Sequence, residues 1–290
     1  MVLSPRMARV VVTGGAGFVG SAVVDELCRA GDHVTVAGLG TTNDPLNARR
    51  LAEVITSSVD LIVHSAGSAS VSASVTNPAG EHAKTVPVFA ALLERVRSHA
   101  PNARVVLISS AAVYGNTSLV PTPETAAPAP VSPYGEDKQA CEELCRAHGR
   151  ATAIVRLFSV YGAGLRKQLL WDACRKATAG APMFAGSGDE ERDWLHVSDA
   201  ATLIVRVAAH TASDAPVING GAGLGVKVRD VVGQICRELG TEPLFTGEAR
   251  AGDPSRYVAD IARARALGWQ PRIELVRGIS DYITWFRAHA

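Results

Sequence analysis

Short runs of β-branched and other apolar residues alternate with helical patterns through the first three quarters of the chain. The predicted strands cover residues 10–12, 33–36, 61–64, 104–108, 153–155 and 216–218. Between them, apolar residues recur at spacings of three and four, which is typical of helices that bury one face. Because strands that alternate with helices form βαβ units, we expect an α/β fold with a mostly parallel sheet.

The pattern becomes less regular after residue 161. Helices are expected near residues 168–179 and 228–239, and the last helix carries one apolar face made of Val276, Ile279, Ile283 and Phe286. These pieces predict a smaller lobe that is interleaved with the sheet.

Proline marks two interruptions in these patterns. Pro87 lies inside the helical pattern of residues 82–98, where it removes a backbone hydrogen bond and kinks or delays the helix, so we expect a bend there. Five prolines between residues 121 and 133 predict an extended loop.

Composition narrows the classes of function. The 290 residues include 29 Lys and Arg against 28 Asp and Glu, so the net charge of +1 gives no general attraction to nucleic acid or to a membrane. Five cysteines without a CxxC pair argue against a disulfide framework or a zinc site. Residues 1–9 lack the apolar stretch of a signal peptide, and no run of about 18 apolar residues follows, so we expect a cytoplasmic protein.

The segment from Thr13 to Gly20, Thr-Gly-Gly-Ala-Gly-Phe-Val-Gly, links the first strand to a helix. Gly14 permits a tight turn, Gly17 lets the backbone approach a pyrophosphate, and Gly20 lets the helix pack on the strand. A glycine triplet also occurs in turns that bind nothing. Because the strand and the helix are both in place, the pattern favours a dinucleotide whose phosphates meet the helix N terminus.

The second strand ends without the carboxylate that commonly binds the adenosine ribose. Residues 37–40 are Ala-Gly-Leu-Gly, and no acid stands there. Without that negative charge the site does not reject a 2′-phosphate, so the sequence admits NADP as well as NAD. Arg49 and Arg50 are candidate partners for such a phosphate, but a solvated helix face is the better interpretation for them.

Tyr134 and Lys138 are four residues apart, on one face if their segment is helical. A phenol ordinarily has a pKa of about 10, and a fixed ammonium beside it favours the phenolate that proton transfer near neutrality needs. Ser110 follows the strand of residues 104–108, at the edge where α/β sheets bind ligands. We expect Ser110 to hydrogen-bond the substrate oxygen and Tyr134 to move its proton. The alternatives are helix surface for Tyr134 and Lys138 and a helix cap for Ser110.

These motifs resemble those of the extended short-chain dehydrogenase/reductase family, in the NAD-dependent epimerase/dehydratase branch that modifies nucleotide sugars. The resemblance covers nearly the whole chain and also rests on residues 156–162 (Arg-Leu-Phe-Ser-Val-Tyr-Gly), 192–194 (Arg-Asp-Trp) and 266–271 (Ala-Leu-Gly-Trp-Gln-Pro). It implies a Rossmann-type doubly wound parallel sheet, with an NAD(P)-binding domain of residues 1–160 and roughly 193–220. Residues 161–192 and 221–290 form the smaller, interleaved substrate lobe in this prediction.

The resemblance also implies the site residues, and the predicted catalytic residues are Ser110, Tyr134 and Lys138. The predicted cofactor contacts are Gly14, Gly17, Phe18, Val19, Gly20, Ala66, Tyr134, Lys138 and Phe158. The predicted substrate contacts are Ser110, Ser159, Arg192 and Arg250, and no metal ligand is expected.

Arg192 is expected to hold the substrate phosphates through two hydrogen bonds, as a guanidinium can. The alternative for Arg192 is an ion pair with Asp189 or Glu190, whereas for Arg250 a binding role and a surface role are equally supported. His196 and Asp199 are expected to be structural.

The chain departs from the family pattern at several positions. Ala111 and Ala112 stand where family dehydratases carry an Asp-Glu pair, so we do not expect dehydration. Thr85 and Ser159 stand where many relatives have asparagine, which leaves the substrate pose open.

Three hypotheses of function remain. The first is a nucleotide-sugar epimerase, best a 4-epimerase of a nucleoside diphosphate hexose, that retains its cofactor. The second is a reductase of a nucleotide-linked 4-keto-6-deoxyhexose that consumes NADPH, and the third is a dinucleotide-sensing or RNA-binding protein without catalysis. The intact set of Ser110, Tyr134 and Lys138 argues against the third. The resemblance favours a homodimer, and Cys141, Leu144 and Cys145 are expected to pack inside the protein or against a second subunit.

Overall fold

The computed structural model describes residues 7–39, 45–247 and 256–290. The chain forms two compact units by its contacts. The first consists of Met1–Gly115, Ala127–Arg156 and Ala201–Ile218, and the second of Asn116–Ala126, Leu157–Ala200 and Asn219–Ala290. Among the helices in the described ranges, none combines the length and apolar character needed to cross a membrane.

The six segments that the apolar pattern predicts fall close to six of the strands. The described residues contain twelve strands in all. They are β1 (Arg9–Thr13), β2 (His33–Ala37), β3 (Leu61–His64), β4 (Arg104–Ser110), β5 (Thr152–Leu157), β6 (Ser159–Tyr161), β7 (Met183–Phe184), β8 (Glu191–His196), β9 (Val217–Gly220), β10 (Gly225–Lys227), β11 (Leu244–Phe245) and β12 (Arg256–Tyr257). Six of them form the central sheet in the order β2-β1-β3-β4-β5-β9. β1 pairs in parallel with both β2 and β3, and β3 pairs in parallel with β4. The predicted α/β fold with a doubly wound sheet is confirmed.

The helices alternate with these strands. They are α1 (Phe18–Arg29), α2 (Pro45–Val54), α3 (Val71–Thr76), α4 (Pro78–Ala83), α5 (Val86–His99), α6 (Pro133–His148), α7 (Gln168–Thr178), α8 (Val197–Val207), α9 (Val228–Glu238), α10 (Ala262–Ala266) and α11 (Leu275–His289). Two 3₁₀ turns, Ala111–Tyr114 and Ala208–His210, complete the set for the described residues.

Local sequence explains the limits of α6, the helix that carries two candidate catalytic residues. The hydroxyl of Ser132 accepts the N–H of Gly135 at 3.2 Å, and Pro133 lies in the first turn, where its missing N–H is not needed. At the other end Gly149 has a φ of 64°, which suits glycine. The proline-rich segment before Ser132 is the extended loop that its composition predicts.

At Pro87 the structure has the delayed start of a helix and not the expected bend. α4 ends at Ala83 and α5 begins at Val86. The chain therefore leaves the helical conformation after Ala83 and resumes it at Val86, one residue before Pro87. The backbone of Thr85, at φ −114° and ψ −80°, makes the break. Pro87 then lies in the first turn of α5, where it removes no internal hydrogen bond.

The core of the first unit includes apolar residues from the central sheet and from the helices on one of its faces. Phe89, Leu92 and Val96 of α5 are buried there, together with Cys141 and Cys145 of α6. The two cysteines therefore pack inside this unit, while Leu144 is partly buried against the same core.

The second unit is organised around β8, which pairs antiparallel with β10 and parallel with β6 and β12. The buried carboxylate of Asp193 in β8 accepts backbone N–H groups of Ala222, Gly223 and Ala259. Asp199 in the first turn of α8 accepts the N–H groups of residues 272 and 273 at 3.0 and 2.9 Å. These two carboxylates connect segments that are distant in sequence.

Candidate active site

The glycine turn lies between β1 and α1, where the strand order of the central sheet reverses. Gly14 has a φ of +69°, and a Cβ there would lie 2.7 Å from the backbone nitrogen of Ala66. A Cβ on Gly20 would collide with the carbonyl oxygen of Gly14. Glycine is therefore required at both positions for α1 to begin this close to the end of β1.

Gly17 is the exposed residue that precedes α1, and among the described residues no side chain caps this helix N terminus. The first N–H groups of a helix have no partner within it, so this end can bind an anion. Phe18 and Val19 follow in the first turn and are partly buried. This turn has no room for side chains at Gly14 and Gly20, and the helix N terminus beside it has free N–H groups. Both features suit the diphosphate of a dinucleotide. The residues present therefore fit such a cofactor.

As far as the chain is described there, up to residue 39, the end of β2 carries no acid. A Cβ on Gly38 would meet no described atom within 4 Å. A guanidinium nitrogen of Arg50 donates to the carbonyl oxygen of Gly38 at 3.4 Å, whereas Arg49 pairs with Glu53 on the surface of α2. The interpretation of both arginines as a solvated helix face therefore suits Arg49, while the structure places Arg50 beside Gly38.

Tyr134 and Lys138 lie one turn apart on α6, which packs on β4. The ammonium of Lys138 is buried and donates to the carbonyl oxygen of Ile108 in β4 at 3.2 Å. The same ammonium lies 5.7 Å from the centroid of the Tyr134 ring. The ammonium therefore lies over the Tyr134 ring, and the partly exposed Tyr134 is accessible to a ligand.

Ser110 is the last residue of β4 and is partly exposed. Its hydroxyl oxygen accepts the N–H of Ala112 at 3.1 Å, so it caps the 3₁₀ turn that follows. A serine oxygen that accepts one hydrogen bond keeps its O–H for donation to a second group. The first turn of α6 lies against this 3₁₀ turn, since a Cβ on Gly135 would be 2.7 Å from the carbonyl oxygen of Ala112. Ser110 can thus be both a cap and a donor to substrate.

A neutral histidine lies between the glycine turn and Lys138. Burial, helped by the positive charge of Lys138, lowers the pKa of His64 to about 3. Its Nδ1 shares a 2.7 Å hydrogen bond with the hydroxyl of Thr13, and its ring lies 4.6 Å from that of Phe89. Sequence analysis missed this pair, because Thr13 and His64 are paired residues of neighbouring strands rather than neighbours in sequence.

Three of the other predicted contacts, Phe158, Ser159 and Arg192, lie in the second unit. Phe158 is buried with its ring 5.2 Å from that of Tyr257, and Ser159 begins β6. Arg192 in β8 is partly buried, and its guanidinium donates to the carbonyl oxygen of Glu191 at 3.0 Å. Asp189, one of the two expected alternative partners of Arg192, pairs with the cations of residues 227 and 229. Arg250 lies outside the described residues.

Comparison with known proteins assigns the family. The model of the NAD dependent epimerase/dehydratase family matches residues 10–221. The chain belongs to this family. A UDP-glucose 4-epimerase from Azospirillum brasilense is 32% identical, with 97% of this chain and 92% of that protein covered. A UDP-glucose 4-epimerase from Streptomyces lividans is 31% identical, with 96% of each chain covered.

Solved structures support the same assignment. The structure of MoeE5 in complex with UDP-glucuronic acid and NAD is 30% identical to this chain. It covers 98% of this chain and 100% of its own, with a TM-score of 0.86. The structural likeness to MoeE5 therefore extends over both units.

The structure describes the surroundings of three positions where the chain departs from the epimerase/dehydratase pattern, Ala111, Ala112 and Thr85. Ala111 is fully buried and Ala112 donates its N–H to Ser110, and neither offers an acid or base for the loss of water. Thr85 is buried, accepts the N–H of Ser68 at 3.0 Å and donates to the carbonyl oxygen of Glu81 at 2.9 Å. Thr85 thus holds the loop after β3 against the start of α5.

Proposed function

We propose that this protein is a nucleotide-sugar 4-epimerase that acts on a uridine diphosphate hexose with NAD retained in the glycine turn. The observation that carries the proposal is the contact of the buried Lys138 ammonium with both the Tyr134 ring and the end of β4. The two UDP-glucose 4-epimerase relatives and the UDP-sugar in the MoeE5 structure support the substrate class.

In this proposal Tyr134 as phenolate accepts the proton of a sugar hydroxyl, and Ser110 donates a hydrogen bond to the same oxygen. The ammonium of Lys138, which lies over the Tyr134 ring, stabilises the negative charge that Tyr134 carries during the transfer. The nicotinamide of a bound dinucleotide supplies hydride acceptance from the sugar carbon and its return to either face. When the alcohol forms again, Tyr134 gives back the proton, so the reaction has no net change in redox state.

The cofactor contacts are proposed at Gly14, Gly17, Phe18, Val19, Gly20, Ala66, Tyr134, Lys138 and Phe158. The substrate contacts are proposed at Ser110, Ser159 and Arg192, with the guanidinium of Arg192 pairing with a phosphate. We also keep the proposals of a homodimer and of a location in the cytoplasm.

A second candidate is the NADPH-dependent reductase of a nucleotide-linked 4-keto sugar. The neutral, open end of β2 at Gly38 and the nearby Arg50 favour it, because both admit a 2′-phosphate. The two functions need the same proton carrier and differ in the fate of the cofactor. An epimerase keeps one dinucleotide through many turnovers, whereas a reductase consumes one NADPH for each product.

The experiment that separates them uses the purified full chain. We expect UDP-galactose and UDP-glucose to interconvert without added reductant, and denaturation to release NAD. An empty protein that oxidises NADPH in the presence of a 4-keto sugar nucleotide would replace the first function by the second.

The role of Tyr134 is tested by Tyr134→Phe, which removes the proton carrier and keeps the ring. We expect kcat to fall by about 100-fold or more, since acid–base catalysis contributes on that scale, with cofactor binding retained. Tyr282→Phe is the matched control, because that phenol donates to the carbonyl oxygen of Leu165 in the core of the second unit. A Tyr134→Phe variant with kcat near that of Tyr282→Phe would exclude the phenol.

A further inference from the structure

A buried ion pair joins α6, the helix of Tyr134 and Lys138, to β5. Glu142 on α6, four residues after Lys138, has no exposed surface, and Arg156 on β5 is 1% exposed. The guanidinium of Arg156 donates from Nε and Nη2 to the two carboxylate oxygens of Glu142, at 2.8 and 2.6 Å. Arg146 adds a longer contact of 3.3 Å to the same carboxylate. Such a two-bond pair fixes orientation as well as distance.

The carboxylate of Glu142 also reaches the residue before Ser110. The hydroxyl of Ser109 is buried and donates to Glu142 Oε1 at 2.7 Å. One turn earlier on the same helix, Lys138 donates to the carbonyl oxygen of Ile108. Two side chains of α6 thus bind two consecutive residues of β4, which leaves the helix little freedom to slide along the strand.

Arg156 also contacts the last residue of the 3₁₀ turn that Ser110 caps. Its guanidinium carbon lies 4.5 Å from the centroid of the Tyr114 ring, and Tyr114 is the last residue of that turn. The ion pair therefore touches β4 before Ser110 and the turn after it. Stacking on an aromatic face and two-bond pairing both suit a guanidinium.

Stability alone is a weak explanation for this arrangement. Desolvation of two charges offsets much of their attraction, and a well-packed apolar pair of similar volume is often as stable. The structure instead assigns Glu142 and Arg156 as positioning residues: they hold Ser110 of β4 and Lys138 of α6 in the geometry that proton transfer requires. This inference rests on the proposed function, since it takes Ser110, Tyr134 and Lys138 as the reacting groups.

Variants of Glu142 and Ser109 should act on kcat rather than on substrate affinity. Catalysis falls steeply with small displacements of the reacting groups, by about 100-fold for about 1 Å. We expect Glu142→Gln and Ser109→Ala to lower kcat by about tenfold or more, with KM changed by less than about threefold and NAD still bound. Glu143→Gln is the matched control, because Glu143 is the next residue on α6 and is exposed.

A double variant separates positioning from folding. In Glu142→Met with Arg156→Met, apolar side chains replace both charges, and thermal unfolding reports whether the fold has recovered. A double variant as stable as the wild type but at least about tenfold slower supports positioning. Wild-type kcat in that stable variant would overturn the inference.

Ser109→Ala decides the matter if the double variant does not fold. It keeps the ion pair and removes one hydrogen bond, so wild-type kcat in this variant would also overturn the inference. Tyr134→Phe is measured in the same assay. Activity in Tyr134→Phe would contradict the proposed function itself, whereas normal activity in Ser109→Ala with an inactive Tyr134→Phe would contradict only the positioning role.

Discussion

Gly38 stands at the position where dinucleotide-binding sheets commonly carry a carboxylate for the adenosine ribose. The structure gives this position two further properties that the sequence did not. A side chain added at Gly38 would meet no described atom within 4 Å, and the guanidinium of Arg50 reaches its carbonyl oxygen. Gly38 is therefore the position at which a carboxylate is expected to repel a 2′-phosphate.

We expect Gly38→Asp to shift the preference from NADP towards NAD. The new carboxylate repels a 2′-phosphate and can bind a 2′-hydroxyl, so the ratio of the two dissociation constants should change by about tenfold or more, or about 1.4 kcal/mol. Isothermal titration with each dinucleotide measures this ratio. Gly38→Asn is the neutral control of equal size, and an equal loss of both dinucleotides in the two variants would mean that the 2′ group lies elsewhere.

In the turn between β1 and α1, different glycines serve different purposes. One is required for the fold and another for ligand binding. A Cβ on Gly20 would collide with the carbonyl oxygen of Gly14, whereas a Cβ on Gly17 would lie 3.2 Å from that oxygen, at an exposed position. The backbone of Gly17, with φ −79° and ψ 171°, is also one that any residue adopts. Glycine is therefore needed at position 17 chiefly so that the diphosphate of a dinucleotide can approach the backbone.

Gly20→Ala and Gly17→Ala should consequently fail in different ways. We expect Gly20→Ala to lower the free energy of unfolding by about 1–3 kcal/mol, as overpacking does, and to weaken dinucleotide binding as well. Gly17→Ala should weaken binding with a much smaller effect on stability. Urea unfolding and NAD titration of both variants provide the check. Normal NAD affinity in Gly17→Ala would remove the diphosphate from this turn.

The pair of Thr13 and His64 connects β1 to β3 and makes this part of the sheet sensitive to acid. An unfolded histidine has a pKa of 6.5, while burial lowers that of His64 to about 3 in the folded protein. Between these values the unfolded chain binds the additional proton. The contribution of His64 to stability is therefore complete above pH 6.5 and is lost as the pH falls towards 3.

We expect the free energy of unfolding to fall below pH 6.5 by up to about 1.4 kcal/mol per pH unit on account of His64. His64→Asn should make the dependence shallower by about one proton between pH 6.5 and 5, as measured by urea unfolding at several pH values. Thr13→Val is the control, because it removes the hydrogen bond and keeps the histidine. An unchanged slope in His64→Asn would show that other groups carry the acid sensitivity.

Across the whole molecule, the features that could be predicted are those encoded by neighbouring residues. The apolar runs give the six strands of the central sheet, and the sequence from Thr13 to Gly20 gives the turn, since strand, glycines and helix are contiguous. Spacing likewise places Tyr134 and Lys138 on one helix face. Each of these inferences needs only local geometry.

The features that could not be predicted depend on how elements dock. Glu142 and Arg156 are 14 residues apart, and only the packing of α6 near the end of β5 brings them together. The reach of Arg50 to Gly38 depends on where α2 follows β2. The presence of Pro87 in the sequence does not tell whether the helix bends or is interrupted, because that depends on the backbone of Thr85. The one sequence signal for Glu142 is its position four residues after Lys138, which places the two side chains on the same face of a helix.

The division of the chain into two units gives a last prediction about where each ligand acts. The glycine turn belongs to the first unit and Arg192 to β8 of the second. A ligand slows hydrogen exchange where it stabilises the closed state, by about 100-fold at 100 times its dissociation constant. We expect NAD to protect peptides that cover β1 and α1, and UDP to protect peptides that cover β8. Arg192→Ala should abolish the protection by UDP and keep that by NAD, whereas UDP protection that survives in this variant would place the phosphates away from Arg192.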